Sequence, residues 1–542
     1  MKFTSLLIIT LFVCSCYQSE EADLVVHNAR IQSMDESQTV YDAMAVKDGR
    51  IIELGPERQI LNKYRTSERY DAGSKWIFPG LIDGHCHFLG YGLNKQKVDL
   101  RGTKSFEEVL DRVEDFADSH PEREWIVGRG WDQNDWEIKE YPDYQRLNTL
   151  FPTTPVLLQR IDGHAALINQ AAIKKTKLDT SKQIEGGQLV VKNGAFTGVL
   201  IDNAVDVFQD IIDNAPEHVK HEALLRAQSD CFSEGLTSVH DAGLDVSSIE
   251  LIESMIGSGE LRIRMNVMVS DKEENLAYFE KRGPIATERL DVHTIKVYAD
   301  GALGSRGAYL KTHYHDTPGH SGLMLHGRQH ILGIASWCKR NGFQLATHCI
   351  GDAANEMVLG VYAEVLGGTN DARWRIEHAQ VVDPSDLKFF KNYNILPSVQ
   401  PTHATSDMYW AEERLGAKRL AHAYSYRDLR AQNGIMLLGT DFPVEEISPM
   451  NTLHAATERT DANGYPAGGF LPDQKLSPSE ALRGMTLENA LGAFRESDLG
   501  TLEPGKLADF IVVGQDLLNL MVPAYEVKVL RTYLGGELVF ER

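Results

Sequence analysis

Apolar residues in this chain recur in short runs that stop abruptly at a polar side chain, and those stops set the expected architecture. The runs Phe78 to Asp83, Leu236 to His240, Leu261 to Val269, Thr294 to Tyr298, Phe343 to Thr347, Trp374 to Glu377, Ile395 to Val399 and Ile435 to Gly439 read as eight buried strands. Stretches of helical periodicity, such as His218 to Glu234 and His330 to Arg340, separate several of them. Strand and helix in alternation predict an α/β fold with a parallel sheet, and this number of strands predicts a (β/α)8 barrel over residues 78–490. The spacing breaks once, between the first two strands. Residues 91–215 are too many for a structureless loop and contain strand-like pieces at Trp125 to Gly128, Val156 to Gln159 and Gly187 to Val191. They are expected to form a β-rich insertion over the barrel mouth.

Both chain ends carry short β segments. Ala22 to Gln32 reads as a strand, and Ala43 to Gly55 as a hairpin turning at Asp48-Gly49. Gly505 to Val513, Val527 to Tyr533 and Gly535 to Phe540 supply a matching set. Neither set can close a sandwich alone, so residues 22–77 and 491–542 are expected to share one composite β-sandwich domain. Ahead of them, Met1-Lys2 and the apolar Leu6 to Val13 are too short to span a bilayer. Val13-Cys14-Ser15-Cys16 resembles a bacterial lipoprotein box. Residues 1–15 are then a signal peptide, Cys16 the acylated residue and 16–21 a tether. The expected location is the cell envelope, on the periplasmic or surface face of a membrane anchored through the lipid on Cys16.

Composition changes the picture little. The chain has 542 residues, 42% of them hydrophobic, and a formal charge of −22, which leaves no electrostatic footprint for nucleic acid. With Cys14 in the signal and Cys16 lipidated, the remaining cysteines are Cys86, Cys231, Cys338 and Cys349. Cys86 and Cys349 fall inside predicted strands, so buried thiols rather than disulfides are expected.

Candidate chemistry sits where the strands stop. The segments Leu81-Ile-Asp-Gly-His85-Cys-His87, Thr294-Ile-Lys296, Leu345-Ala-Thr-His348, Trp374-Arg-Ile-Glu-His378 and Leu437-Leu-Gly-Thr-Asp441 each end an apolar run at a His, Lys or Asp. In a parallel barrel such groups project from the C-terminal strand ends into one mouth. His85 and His87, one residue apart, share a face of their strand. The set suits one or two hydrolytic metal ions, and it points to a metal-dependent hydrolase.

The ordered motifs resemble the amidohydrolase superfamily, and more narrowly the amidohydrolase 3 or YtcJ-like family that includes N-substituted formamide deformylases. They are Phe78-Pro-Gly-Leu-Ile-Asp-Gly-His-Cys-His, Gly130-Trp-Asp, Asp162-Gly-His-Ala, Lys296-Val-Tyr-Ala-Asp-Gly, Thr347-His-Cys-Ile-Gly-Asp, Ile376-Glu-His-Ala-Gln, Gln400-Pro-Thr-His, Gly439-Thr-Asp-Phe-Pro and Gly500-Thr-Leu-Glu-Pro-Gly. The resemblance implies a metal centre held by His85, His87, Lys296, His348, His378 and Asp441, with one or two divalent ions, foremost Zn²⁺, and a carboxylated Lys296. Asp441 suits a proton shuttle as well as a ligand. His164, His403, His240, Trp131 and Arg306 are candidate substrate contacts, because barrel-mouth loops carry binding groups. His313, His315 and His320 read as a solvated loop. The expected substrate is a small molecule with an amide-type C–N bond, an N-acyl or N-formyl amide. The alternatives are a cyclic amide, carbamate or ester, or a binding lipoprotein without catalysis. Assembly, a homodimer included, stays open at this point.

Overall fold

The computed structural model describes residues 19–542 apart from 161–164, 183, 185–186, 203, 209–214 and 305. Cys16 and His164 lie outside the described residues. The chain divides into two compact units, one made of residues up to Cys86, Asp230–Asp245 and Ile263–Arg542, the other of His87–Ser229 and Val246–Arg262.

The first unit is built around eight parallel strands in chain order. They are β1 (Leu81–Cys86), β2 (Leu236–Leu244), β3 (Arg264–Ser270), β4 (Leu290–Tyr298), β5 (Gln344–Cys349), β6 (Arg375–His378), β7 (Leu396–Val399) and β8 (Leu437–Leu438). Their residues are almost all buried, as continuous apolar runs in a parallel sheet should be. The result is a nearly closed barrel. One boundary differs from the sequence reading. Trp76–Pro79, expected in part within the first barrel strand, pairs antiparallel with Phe510–Val513 in a separate sheet, and the barrel strand begins at Leu81. The apolar run is unbroken from Ile77 to Ile82 except at Pro79-Gly80, and periodicity alone cannot show a strand changing sheets there.

Two larger sheets and one two-stranded sheet also belong to this unit. One larger sheet has the order Arg50–Gly55, Ala43–Lys47, Leu24–His27, Glu68–Asp71. The other runs Glu537–Glu541, Val529–Leu534, Phe510–Val513, Trp76–Pro79, Arg30–Gln32, Val40–Tyr41, so strands from both chain ends lie side by side. Leu24, Val26, Met44, Ile77, Phe510, Val512 and Tyr533 share one core between them. Asp48 (φ 51°) and Gly49 (φ 75°) make the hairpin turn left-handed at both central positions, the twist that suits a two-residue connection. Glu20–Glu21 pairs with Tyr64–Arg65, so the end of the expected tether is already part of the fold.

The second unit holds a six-stranded sheet ordered Val98–Asp99, Ile126–Trp131, Val156–Arg160, Ala165–Ile168, Ala195–Asp202, Gly187–Lys192. Helix Phe106–Ser119 packs Val109, Leu110 and Val113 into the same core as Trp131 and Leu158. The inserted segment is β-rich, as its strand-like pieces predict, and it carries helices as well.

The barrel closes where β8 meets β1. Asp83 accepts from the Thr440 backbone N–H (3.1 Å) and hydroxyl (2.7 Å), and Asn489 Nδ2 donates to both Ile82 O and Leu438 O at 2.7 Å. The backbones approach so closely that a Cβ on Gly439 would stand 2.5 Å from His85 N. Gly439→Ala is therefore expected to destabilise the fold by about 1–3 kcal/mol, the usual cost of overpacking a tight site. Gly333→Ala, in helix Arg328–Asn341 with nothing near its missing Cβ, should be neutral or stabilise by up to about 1 kcal/mol. Urea unfolding of the two variants checks the difference, and equal midpoints would contradict the seam.

Candidate functional site

His85 enters the barrel from β1, fully buried. Its Nδ1 lies 2.5 Å from Glu377 Oε2, while its Nε2 faces Lys296 Nζ at 3.3 Å and Asp441 Oδ1 at 3.7 Å. An ionised carboxylate only accepts, so the proton sits on Nδ1 and the Nε2 lone pair is left facing the other two groups. Burial outweighs its acidic neighbours and, with the Lys296 charge, pushes the imidazolium down to about 4. Asp441 is brought alongside by the seam. Its backbone N–H donates to His85 O at 2.8 Å, and its φ of 63° turns the chain sharply after β8. Asp83 accepts from the His85 backbone N–H at 3.0 Å, and burial raises its carboxyl to about 7.

Lys296, on β4, is 1% exposed, with its Nζ 4.8 Å from the centre of the Tyr298 ring. Burial lowers its ammonium to about 8. The nearby Asp300 is engaged elsewhere, accepting backbone N–H groups from Tyr309, Ile350 and Gly351. His348 ends the inward face of β5, and burial followed by the Lys296 charge lowers it to about 3. His378 closes β6. Period-two alternation turns Arg375 and Glu377 to one face of that strand, and left-handed backbone at His378 (φ 70°) and Ala379 (φ 40°) lets the next side chain join the same cluster. The His378 ring stands 4.9 Å from His85 and 4.5 Å from His348, with Nδ1 2.7 Å from Gln400 Oε1. Burial holds this imidazole well below its ordinary range too.

Five of the six expected ligands thus meet at the C-terminal ends of β1, β4, β5, β6 and β8. His87 is fixed by the chain two residues after His85, at the N-cap of helix Phe88–Lys95. His403, on helix Pro401–Asp407, brings Nε2 to 3.6 Å from Asp441 Oδ2, and His378, His403 and Asp441 offer ligand atoms within 4.8 Å of one another. Among the described residues, the buried Nε2 atoms of His348 and His403 meet no hydrogen-bond partner. Neutral imidazoles, a carboxylate and two orphaned ring nitrogens form a donor set that fits a divalent transition cation.

Sequence reasoning gave no role to the groups beneath this set. Burial alone would raise Glu377, but Arg375, at 2.6 and 3.1 Å, and then His85 hold its carboxyl well below the usual range. Arg375 donates further to Gly84 O, Ser398 Oγ and His240 Nδ1. The signal was present in the spacing of Arg375 and Glu377, which places both on one strand face. Three candidate contacts fall elsewhere. His240 is buried against Arg375, outside the converging cluster. Trp131 is 1% exposed in the core of the second unit and donates its indole N–H to Leu158 O. Arg306 pairs with Asp316 in a surface bridge. A cavity of about 880 Å³ lined by Ile285, His293, Phe343, Trp374 and Phe494 opens at the opposite, N-terminal ends of the strands and contains none of the converging groups.

The profile of the amidohydrolase family matches residues 68–540. The chain belongs to the amidohydrolase family. It is 28% identical over 526 residues to the YtcJ protein of Bacillus subtilis, covering 95% of this chain and 99% of that one. It is 24% identical to the N-substituted formamide deformylase of Arthrobacter pascens, covering 96% and 98%. Its fold superposes on the crystal structure of an uncharacterized metal-dependent hydrolase from Pyrococcus horikoshii with a TM-score of 0.80 and 27% identity, covering 93% and 99%. This amidohydrolase is an enzyme acting on carbon–nitrogen bonds.

Replacing one member of a buried ion pair strands the other. Arg375→Met is expected to cost about 3–5 kcal/mol in urea unfolding, because Glu377 loses its countercharge in the barrel interior. A cost below about 1 kcal/mol, the value of an exposed pair, would show that Glu377 is sustained by other groups.

Proposed function

We propose that this amidohydrolase cleaves a non-peptide amide-type C–N bond in a small molecule, an N-acyl or N-formyl amide. The observation that carries the reading is the meeting of His85, Lys296, His348, His378 and Asp441, with their imidazoles held neutral by burial. The likeness to an N-substituted formamide deformylase along nearly the whole chain favours the N-formyl or N-acyl class. His87 completes the ligand set. A divalent cation held by these residues, Zn²⁺ first among them, supplies Lewis acidity toward the carbonyl oxygen and acidifies a water. Asp441 then accepts the proton of the attacking water and delivers it to the departing amine. Glu377 keeps the His85 Nε2 lone pair directed at the site. Lys296 cannot bind a cation as an ammonium. With its pKa brought down to about 8, a share of neutral amine would be available to add CO₂ and release a proton, and the resulting carbamate would offer anionic oxygen donors to a divalent cation.

The protein as purified is expected to carry one to two equivalents of transition metal, removed by a strong chelator together with hydrolysis of formamides or N-acyl amines. Active protein with no metal by elemental analysis would overturn the mechanism. Lys296→Arg should be inactive, since a guanidinium stays charged and forms no carbamate. Full activity in that variant would remove Lys296 from the centre.

The same proposal places the enzyme in the cell envelope of a bacterium as a lipoprotein. The Leu6 to Val13 run ahead of Cys16 supports it, and among the described residues no helix is long and apolar enough to cross a membrane. Cys16→Ala should abolish membrane fractionation, while a chain starting at Ser19, which keeps the Glu20–Glu21 strand, should stay in the supernatant and retain metal. Wild-type protein that keeps Met1 to Ser15 and stays in the cytosol would contradict this placement.

A further inference from the structure

A second group of metal-type donors lies outside the cluster just described. Asp271 directly follows β3, at the C-terminal end of that strand. His326 precedes Gly327, the N-cap of helix Arg328–Asn341, and His330 lies in the helix's first turn. His330 Nε2 is 2.6 Å from Asp271 Oδ2, and the His326 and His330 rings stack with centroids 4.1 Å apart. Ligand atoms of all three come within 4.8 Å of one another. We infer that this is a second metal site, taking one divalent transition cation of the zinc class.

The donors argue for that class. Two imidazoles and one carboxylate suit Zn²⁺, Co²⁺ or Ni²⁺ and are a poor match to Ca²⁺ or Mg²⁺, which require oxygen-rich shells. A hydrogen-bonded His330–Asp271 pair alone would not account for a second imidazole laid against the first. The arrangement also sets limits on affinity. Nearly parallel rings (18°) cannot both aim a lone pair at one ion, so His326, on the loop before the helix, must turn about χ2 on binding. The positive end of the helix dipole opposes a cation at the first turn, and among the described residues three protein ligands are present. The net charge of −22 works in the other direction by drawing cations to the surface. The site should therefore exchange its ion readily, unlike a fully enclosed centre.

Equilibrium dialysis of the full-length protein against ZnCl₂, after loosely held metal has been removed, tests this. Wild-type protein should take up one more zinc equivalent than His326→Ala or Asp271→Asn, with at least tenfold weaker uptake of that equivalent in each variant. His326→Ala removes a loop side chain, so it preserves the comparison if Asp271→Asn does not fold. Superimposable zinc isotherms for wild type and His326→Ala would overturn the site, as would wild-type protein that takes up no additional zinc. Metal kept by the barrel cluster is common to wild type and variant and cancels in the difference, so the outcome is independent of the proposed reaction.

Discussion

One buried carboxylate, Asp83, ties the last barrel strand to the first, and the position of the converging side chains depends on that seam. β8 is only two residues long and offers few ladder hydrogen bonds. Side chains make up the shortage. Asp83 gathers donors from Thr440 and from the His85 backbone, while Asn489 bridges carbonyls on both strands. Glycines at 84 and 439 let the two backbones come together: a Cβ on Gly84 would stand 2.9 Å from Leu438 O. With the seam in place, Asp441 hangs from His85 O, and a residue near the end of the barrel sequence becomes the neighbour of one at its start.

The second constraint is electrostatic. A barrel interior that takes in a lysine and several histidines has to keep most of them uncharged or supply anions. Burial does the first, lowering His85, His348 and His378 and bringing Lys296 toward neutrality. The Arg375–Glu377 pair does the second in a way that adds little net charge. Arg375 keeps Glu377 ionised, and Glu377 in turn fixes the tautomer of His85. Left-handed backbone at His378 and Asp441 is a local cost of order 1–3 kcal/mol each, of the kind that persists where surrounding contacts over-determine a site.

Much of this was legible in the chain. Apolar runs ending at His, Lys or Asp located the strands and their functional ends, because strand direction in a parallel barrel puts those ends at one mouth. The passage from sandwich to barrel between Phe78 and Leu81 was not, since an apolar run looks the same in either sheet. Nor was the role of Glu377. The sequence puts Glu377 in a buried strand, but only the folded barrel brings Arg375 and His85 onto its carboxylate. His240 and Trp131 were misplaced for the converse reason. Both lie next to mouth-like loops in sequence, yet His240 is spent on Arg375 and Trp131 on the core of the inserted unit. His403 joins Asp441 and His378 because helix Pro401–Asp407 starts immediately after Gln400, a geometry that no spacing in the sequence reveals.

The central claim is that these converging side chains form one metal centre. Anomalous diffraction from crystals of the protein as purified, collected above and below the absorption edge of the metal identified by fluorescence, tests it most directly. The account predicts an anomalous peak at bonding distance, about 2.0–2.2 Å, from donor atoms of the converging set His85, His348, His378 and Asp441. A catalytically active crystal with no anomalous density within reach of these residues would contradict it.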